Sequence, residues 1–183
     1  MASKKKIADV LRASKNLVRT GWMQRGIHPS IGETVAEHSF EVAFLAVEMS
    51  LKAKEKGLNV DIGKVAAMAL IHDLAETVVG DLPKWTSERV GKLKVKLERE
   101  AFEMLDVNTS LYKIFEQYLE GKSSEAKLVK AADALSTCMQ AREYLLRGYD
   151  VHNILESSKR TVEKLSKCCK GVVGEVASRV GCL

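Results

Sequence analysis

Seven consecutive apolar residues, Val65-Ala66-Ala67-Met68-Ala69-Leu70-Ile71, run directly into His72-Asp73. A helix that is apolar nearly all round has no face to show to water, so it belongs at the centre of a core with other helices packed about it. Asp61 supplies the oxygen that caps the start of such a helix, and Gly80 with Pro83 supplies the breakers that end it. His72 and Asp73 then lie toward its C-terminal end, where a helix opens onto a cleft. An unpaired carboxylate in so apolar a setting is expensive, and a bound cation removes that expense.

The rest of the chain supplies the surrounding helices. Ile7, Val10, Leu11, Leu17 and Val18 recur at helical spacing, predicting a first helix that ends near Thr20-Gly21, with an irregular stretch from Gly21 to Gly32. Thr34 and Glu37 form a capping box, and Val35, Val42, Leu45, Ala46 and Met49 mark the inner face of a second helix running to Gly57. His38 sits in its first turns. Thr86 or Ser87 opens a charged fourth helix reaching about Leu105, and Ser110 a shorter fifth ending by Gly121. Ser123 or Ser124 begins a long sixth helix through Arg147, with Asp133 in its middle; Asp150 caps a seventh, and a last short one spans Val172 to Val180. With 12 glycines and 2 prolines in 183 residues and a 46% hydrophobic share, disorder and turn-rich all-β folds are excluded. The expectation is one all-α domain over residues 1–183, a bundle of about seven to eight helices.

The net charge is +5, but lysines and arginines are interspersed with glutamates along several helices, which argues against a nucleic-acid polymer as partner. Lys4, Lys5 and Lys6 form the single basic run, and no apolar segment of signal-peptide or membrane-span length follows it. A cytoplasmic protein without a membrane partner is expected. Cys138, Cys168, Cys169 and Cys182 show no CxxC or zinc-finger spacing, so they are read as reduced, mostly buried thiols that carry no chemistry.

His38, His72, Asp73 and Asp133 offer two imidazoles and two carboxylates from separate helices, a donor set for one divalent cation. Singly, His38 reads as a hydrogen-bonded core histidine and Asp133 as a surface acid; together, two of only four histidines fall in the pattern, whereas His28 and His152 have no comparable surroundings. Nitrogen and oxygen ligands without cysteine suit Mn, Co, Ni, Fe or Zn. Glu76, four residues after His72 and so about 40° round a helix, reaches the same pocket as a candidate general base. Asp81, on the loop, is a candidate second acid or base. Trp22, Arg19 and Arg25 lie in a glycine-flanked segment where an indole and a guanidinium can stack on a base or sugar and grip a phosphate.

In this arrangement the chain resembles the HD-domain phosphohydrolases, whose signature is a His, a distant His-Asp doublet and a farther Asp. Arg-Thr-Gly-Trp at 19–22, Val-Ala-Glu-His-Ser at 35–39, Ile-His-Asp-Leu-Ala-Glu at 71–76, Gly-Asp-Leu-Pro at 80–83 and Ser-Ser-Glu-Ala-Lys-Leu-Val-Lys-Ala-Ala-Asp at 123–133 look like the 5′-deoxynucleotidase branch, over about residues 5–147. The resemblance implies an all-α fold, usually a homodimer, with one divalent ion on His38, His72, Asp73 and Asp133. It also implies hydrolysis of the 5′-phosphate of deoxyribonucleoside monophosphates. By matching positions Glu76 orients or activates the attacking water, Asp81 assists proton transfer, and Trp22 shapes a pocket that disfavours a ribose 2′-hydroxyl. Arg19 and Arg25 both flank Trp22 as candidates to hold the phosphate; some relatives place an arginine where this chain has Gly21.

Two other readings stand beside this one. The same metal site can serve a deoxynucleoside triphosphate, a cyclic dinucleotide or an alarmone, or the bundle can be a non-catalytic binding module that keeps its ion as a strut. A short chain with no appended sensor or second catalytic domain favours the monophosphatase.

Overall fold

The apolar helix is where the sequence places it, though shorter. In the computed structural model, which describes residues 4–183, Asp61 accepts a hydrogen bond from the Lys64 backbone N–H (3.0 Å) and starts a helix over Ile62–Ile71. Val65, Met68, Ala69 and Ile71 are buried, but Leu70 is 54% exposed, so one edge of the helix does reach solvent. The described residues contain eleven α-helical segments: α1 Ile7–Asn16, α2 Thr20–Met23, α3 Val35–Glu55, α4 Ile62–Ile71, α5 Glu76–Val79, α6 Lys84–Val90, α7 Lys92–Glu103, α8 Thr109–Glu120, α9 Ser124–Leu146, α10 His152–Leu165 and, after a 3-10 turn, α11 Val172–Arg179. The described residues hold no strand, only isolated bridges at Lys5–Leu105 and Val18–Thr34. The fold is all-α. No helix among them is long and apolar enough to cross a membrane. Of the N-terminal segment carrying the basic run, Met1, Ala2 and Ser3 lie outside the described residues.

Two hydrophobic clusters flank the His72 turn. The larger joins α3, α4 and α9 with α10 and α11, through residues such as Val42, Met49, Met68, Leu128, Leu135 and Val176. The smaller holds Val10, Ile71, Ala75, Phe102, Leu105 and Phe115, with the Phe102 and Phe115 rings stacked at 4.2 Å. Ala69 belongs to the first cluster and Ile71 to the second, so α4 ends between them.

Several boundaries differ from the expectation for physical reasons. α1 stops at Asn16, because Val18 bridges to Thr34 and the Arg19 N–H donates to the Glu33 carbonyl (3.0 Å), which pulls the chain straight. Gly32 permits that approach; a Cβ there would come within 2.6 Å of Val18 Cγ1. The stretch expected to be irregular therefore begins with a helical turn, α2. Residues 72–75 form turns rather than helix, and Glu76 opens the single-turn α5. The charged fourth helix is two, α6 and α7, split at Gly91 (φ 50°, ψ −120°), a backbone conformation that favours glycine. α10 begins after Val151 with no side-chain cap, so Asp150 does not cap it. Asn108, accepting from the Ser110 N–H (2.8 Å), caps α8. The thiol expectation is also corrected: Cys138 on α9 and Cys182 in the C-terminal tail form a disulfide, with Cα atoms 6.2 Å apart. The tail folds back onto α9, a proximity that a 44-residue separation conceals. Cys168 and Cys169 remain free and half-buried.

Candidate metal centre and active site

His38 occupies the second turn of α3, which the capping box fixes: the Glu37 N–H donates to Thr34 Oγ1 (3.2 Å) and the Thr34 N–H to Glu37 Oε2 (2.7 Å). Its ring is fully buried, with Nε2 3.1 Å from Asp133 Oδ1 on α9 and 3.7 Å from Asp73 Oδ2. His72 follows α4, and its Nδ1–H donates to the Ala69 carbonyl at 2.7 Å. That bond selects the tautomer whose Nε2 carries a lone pair. His72 Nε2 is buried with no hydrogen-bond partner, although Asp73 Oδ2 stands 3.1 Å away out of line. The two rings lie 5.5 Å apart.

One ligand atom from each of His38, His72 and Asp133 lies within 4.8 Å of the others, close enough to share a single ion. Asp73 Oδ2 borders the same group at the distances given. A buried, unpartnered imidazole nitrogen facing carboxylates fits a divalent cation, since such a nitrogen is otherwise left without the bond that water would have supplied. The donor set of nitrogen and oxygen is that of a borderline divalent metal.

Charge divides the nearby acids. Burial would raise the Asp73 and Asp133 carboxyls, but His72 above all for Asp73, and the hydrogen bond from His38 for Asp133, hold both below the usual carboxylate range. Glu76, 5% exposed, goes the other way: burial first, then the charges of Asp73 and Asp81, push it well above its ordinary value. Its Oε2 is buried without a partner. Acids whose environments drive them apart are suited to different parts in proton transfer. His38 is pulled down by burial and Arg19, yet Asp133 and Glu33 outweigh them and lift it to about 9.

His72, Asp73, Glu76 and Asp133 open onto a cavity of about 480 Å³, whose walls also include Arg19, Trp22 and Asp81. Asp81 Oδ2 accepts a hydrogen bond from the Thr20 N–H and its carbonyl one from Thr20 Oγ1 (3.0 Å), tying the loop after α5 to α2. The Trp22 indole N–H donates to Glu33 Oε2 (2.7 Å), and its ring meets Tyr144 edge-on at 5.1 Å. Arg19 Nη1 donates to the same Glu33 oxygen (3.2 Å) and to Thr137 Oγ1 (3.3 Å). Arg25 is exposed and outside the cavity walls, so of the two candidate arginines the fold brings only Arg19 to the site.

Sequence reasoning passed over Glu33, Lys94, Tyr118 and Lys130. Glu33 is a 6% exposed carboxylate joining Arg19 to Trp22. Tyr118 meets the His72 ring edge-on at 5.6 Å. Lys94, paired with Glu98 at 3.2 Å, and Lys130 bring positive charge to the cavity wall. Lys94 lies on a charged helix face with no motif, and Lys130 lies within the 123–133 segment with nothing to single it out; only the helix pairing reveals which of many lysines face inward.

The sequence family described as HD domain matches residues 11–170. The chain belongs to the HD-domain family. Among the relatives of this HD protein are a 5′-deoxynucleotidase of Dictyostelium discoideum, 31% identical over 150 residues (76% of each chain), and one of Bos taurus, 34% identical over 137 residues. The bovine match covers 71% of this chain and 62% of the relative, so the chain spans under two thirds of that protein's length. Among solved structures, a conserved hypothetical protein of Pyrococcus furiosus superposes with a TM-score of 0.80 at 31% identity, covering 96% of this HD chain and 99% of the other. A predicted metal-dependent phosphohydrolase of Magnetospirillum magnetotacticum (TM-score 0.61, 24% identity, 97% and 93% covered) shares the fold.

Proposed function

We propose that this HD protein is a divalent-metal-dependent 5′-deoxynucleotidase that hydrolyses deoxyribonucleoside 5′-monophosphates to the nucleoside and inorganic phosphate. The observation that carries this reading is Glu76: a buried carboxyl with an unpartnered oxygen, in one cavity with His72, Asp73, Asp133, Arg19 and Trp22. The names of the 5′-deoxynucleotidase relatives support the same substrate class.

His38, Asp133, His72 and Asp73 are the residues that would hold the ion. When bound, a divalent cation supplies Lewis acidity, offsetting phosphate charge and making water easier to deprotonate. Glu76 takes the proton of the attacking water; a positive charge at the cluster opposes the push that Asp73 exerts on it, which favours the carboxylate form needed for a base. The water oxygen bonds to phosphorus as the bond to O5′ breaks. Asp81 assists delivery of a proton to the departing O5′. Arg19 directs its guanidinium at the charge that develops on the phosphoryl oxygens, and the phosphate needs no second arginine from Arg25. Trp22, wedged between Glu33 and Tyr144, presents a rigid wall to the sugar, where an added 2′-hydroxyl is disfavoured.

The same reading takes residues 1–183 as one HD unit, since α11, beyond the matched segment, buries Val172, Val173 and Val176 in the main cluster. It takes the protein as a cytoplasmic homodimer, for which Phe40 and Phe44, exposed on α3, offer apolar surface. The experiment is phosphate release from a panel of deoxy- and ribonucleoside 5′-monophosphates and deoxynucleoside triphosphates, after chelation and again with Mn(II), Co(II) or Zn(II). Release from the deoxynucleoside monophosphates with added metal is expected. Pyrophosphate or tripolyphosphate as product, or no turnover of any deoxynucleotide, contradicts the assignment.

A further inference from the structure

The two histidines present Nε2 to the metal cluster by different means. His72 is anchored by the backbone carbonyl of Ala69, a bond its own helix end provides. His38 lies early in α3, and its Nδ1 has three side-chain neighbours: Ser136 Oγ at 3.1 Å, Arg19 Nη1 at 3.2 Å and Glu33 Oε1 at 3.5 Å. Arginine only donates. Glu33 Oε1 makes no hydrogen bond, and its other oxygen is taken by Trp22 and Arg19. Of the two groups near Nδ1 that can accept its proton, Ser136 Oγ stands closer, at 3.1 Å against 3.5 Å for Glu33 Oε1. The serine then passes its own proton onward, because Glu41 Oε2 stands 3.1 Å from Oγ.

The helix geometry explains why these residues meet. Glu41 follows His38 by three residues on α3, and Ser136 follows Asp133 by three on α9, so each supporting residue lies one turn from a candidate ligand on the same helix face. The contact between His38 and Asp133, at 3.1 Å, is repeated one turn along by the contact between Ser136 and Glu41, also at 3.1 Å. Ser136 is fully buried, so no water competes for its hydroxyl.

We propose that Ser136 and Glu41 are positioning residues for metal binding: the chain His38 Nδ1–H to Ser136 Oγ–H to Glu41 fixes the His38 tautomer and turns Nε2 toward the ion. This rests on the metal site proposed above. Partners that orient a metal-bound histidine in this way typically change metal affinity about 10- to 100-fold when removed.

The test is Mn(II) binding by isothermal titration calorimetry to the full chain, chelated beforehand, with thermal melting recorded for each variant. Ser136→Ala is expected to weaken Mn(II) binding by about tenfold. Glu41→Gln, whose amide oxygen still accepts from the serine, is expected to weaken it less, while leaving the metal-free melting temperature near that of the parent. In the Zn(II)-loaded parent, NMR should show a slowly exchanging Nδ1–H proton on His38 that is lost in Ser136→Ala. Should Ser136→Ala not fold, Glu41→Gln alone decides: an affinity equal to the parent's overturns the proposal. Equal Mn(II) affinity in parent and Ser136→Ala overturns it as well, whether or not melting changes. Absence of Mn(II), Co(II) and Zn(II) binding in the parent itself is a different result, since it removes the metal site and not only its support.

Discussion

Glu76 separates a catalytic reading of this site from a structural one. Replacing it with Gln keeps the shape and removes the base, so kcat should fall by about 10²- to 10⁴-fold while metal affinity stays within a few-fold of the parent. A Glu76→Gln enzyme that turns over deoxynucleotides at the parental rate would show that proton transfer runs elsewhere. Trp22 is tested through Glu33. Phenylalanine keeps the apolar wall but removes the indole N–H, leaving Glu33 Oε2 with Arg19 alone. Losing one bond to a buried carboxylate costs about 1–3 kcal/mol, so Trp22→Phe should lower the melting temperature by several degrees. An unchanged melting temperature would mean the bond holds nothing. Residues whose type clashes with their setting are legible in the sequence: a histidine and an aspartate ending an apolar run advertise themselves. Glu33 and Ser136 are not, because a glutamate before a helix cap and a serine inside a helix look ordinary until the opposite helix is in place.

At the scale of elements, α4 delivers His72 and Asp73 from its C-terminal end, and its start is held by Asp61. Asp61→Ala should destabilise the protein by about 1 kcal/mol, seen as a melting temperature lower by about 2–4 °C, with kcat nearly unaltered because the capped end lies a full helix away from the metal cluster. A large loss of kcat without loss of stability would place Asp61 in the site and contradict this. The main helices α3, α4, α8, α9 and α11 are legible from caps and apolar spacing, since Thr34, Asp61, Ser123 and Gly121 mark their ends locally. Two breaks are not. The end of α1 is set by the pairing of Val18 with Thr34 and of Arg19 with Glu33, contacts from a segment 14 to 16 residues on. The break at Gly91 falls within a run of charged residues whose helical pattern continues on both sides.

In the whole molecule, the site exists only because one apolar cluster packs α3, α4 and α9 together while a second, holding Ile71 and Ala75, fixes the turn after α4. His38, His72 and Asp133 are separated by 34 and 61 residues in sequence, and no local signal states that they meet. Their residue types and resemblance to a known pattern make the convergence predictable, whereas the Cys138–Cys182 disulfide, lacking both, is unreadable. The central claim is that two imidazoles and two carboxylates from these three places surround one ion. Anomalous diffraction at the manganese edge, from crystals of the full chain grown with Mn(II), measures this directly. A single strong peak within bonding distance of His38 Nε2, His72 Nε2, Asp73 and Asp133 is the predicted result; no peak there, or one bound elsewhere with the four side chains closed on one another, would contradict the account.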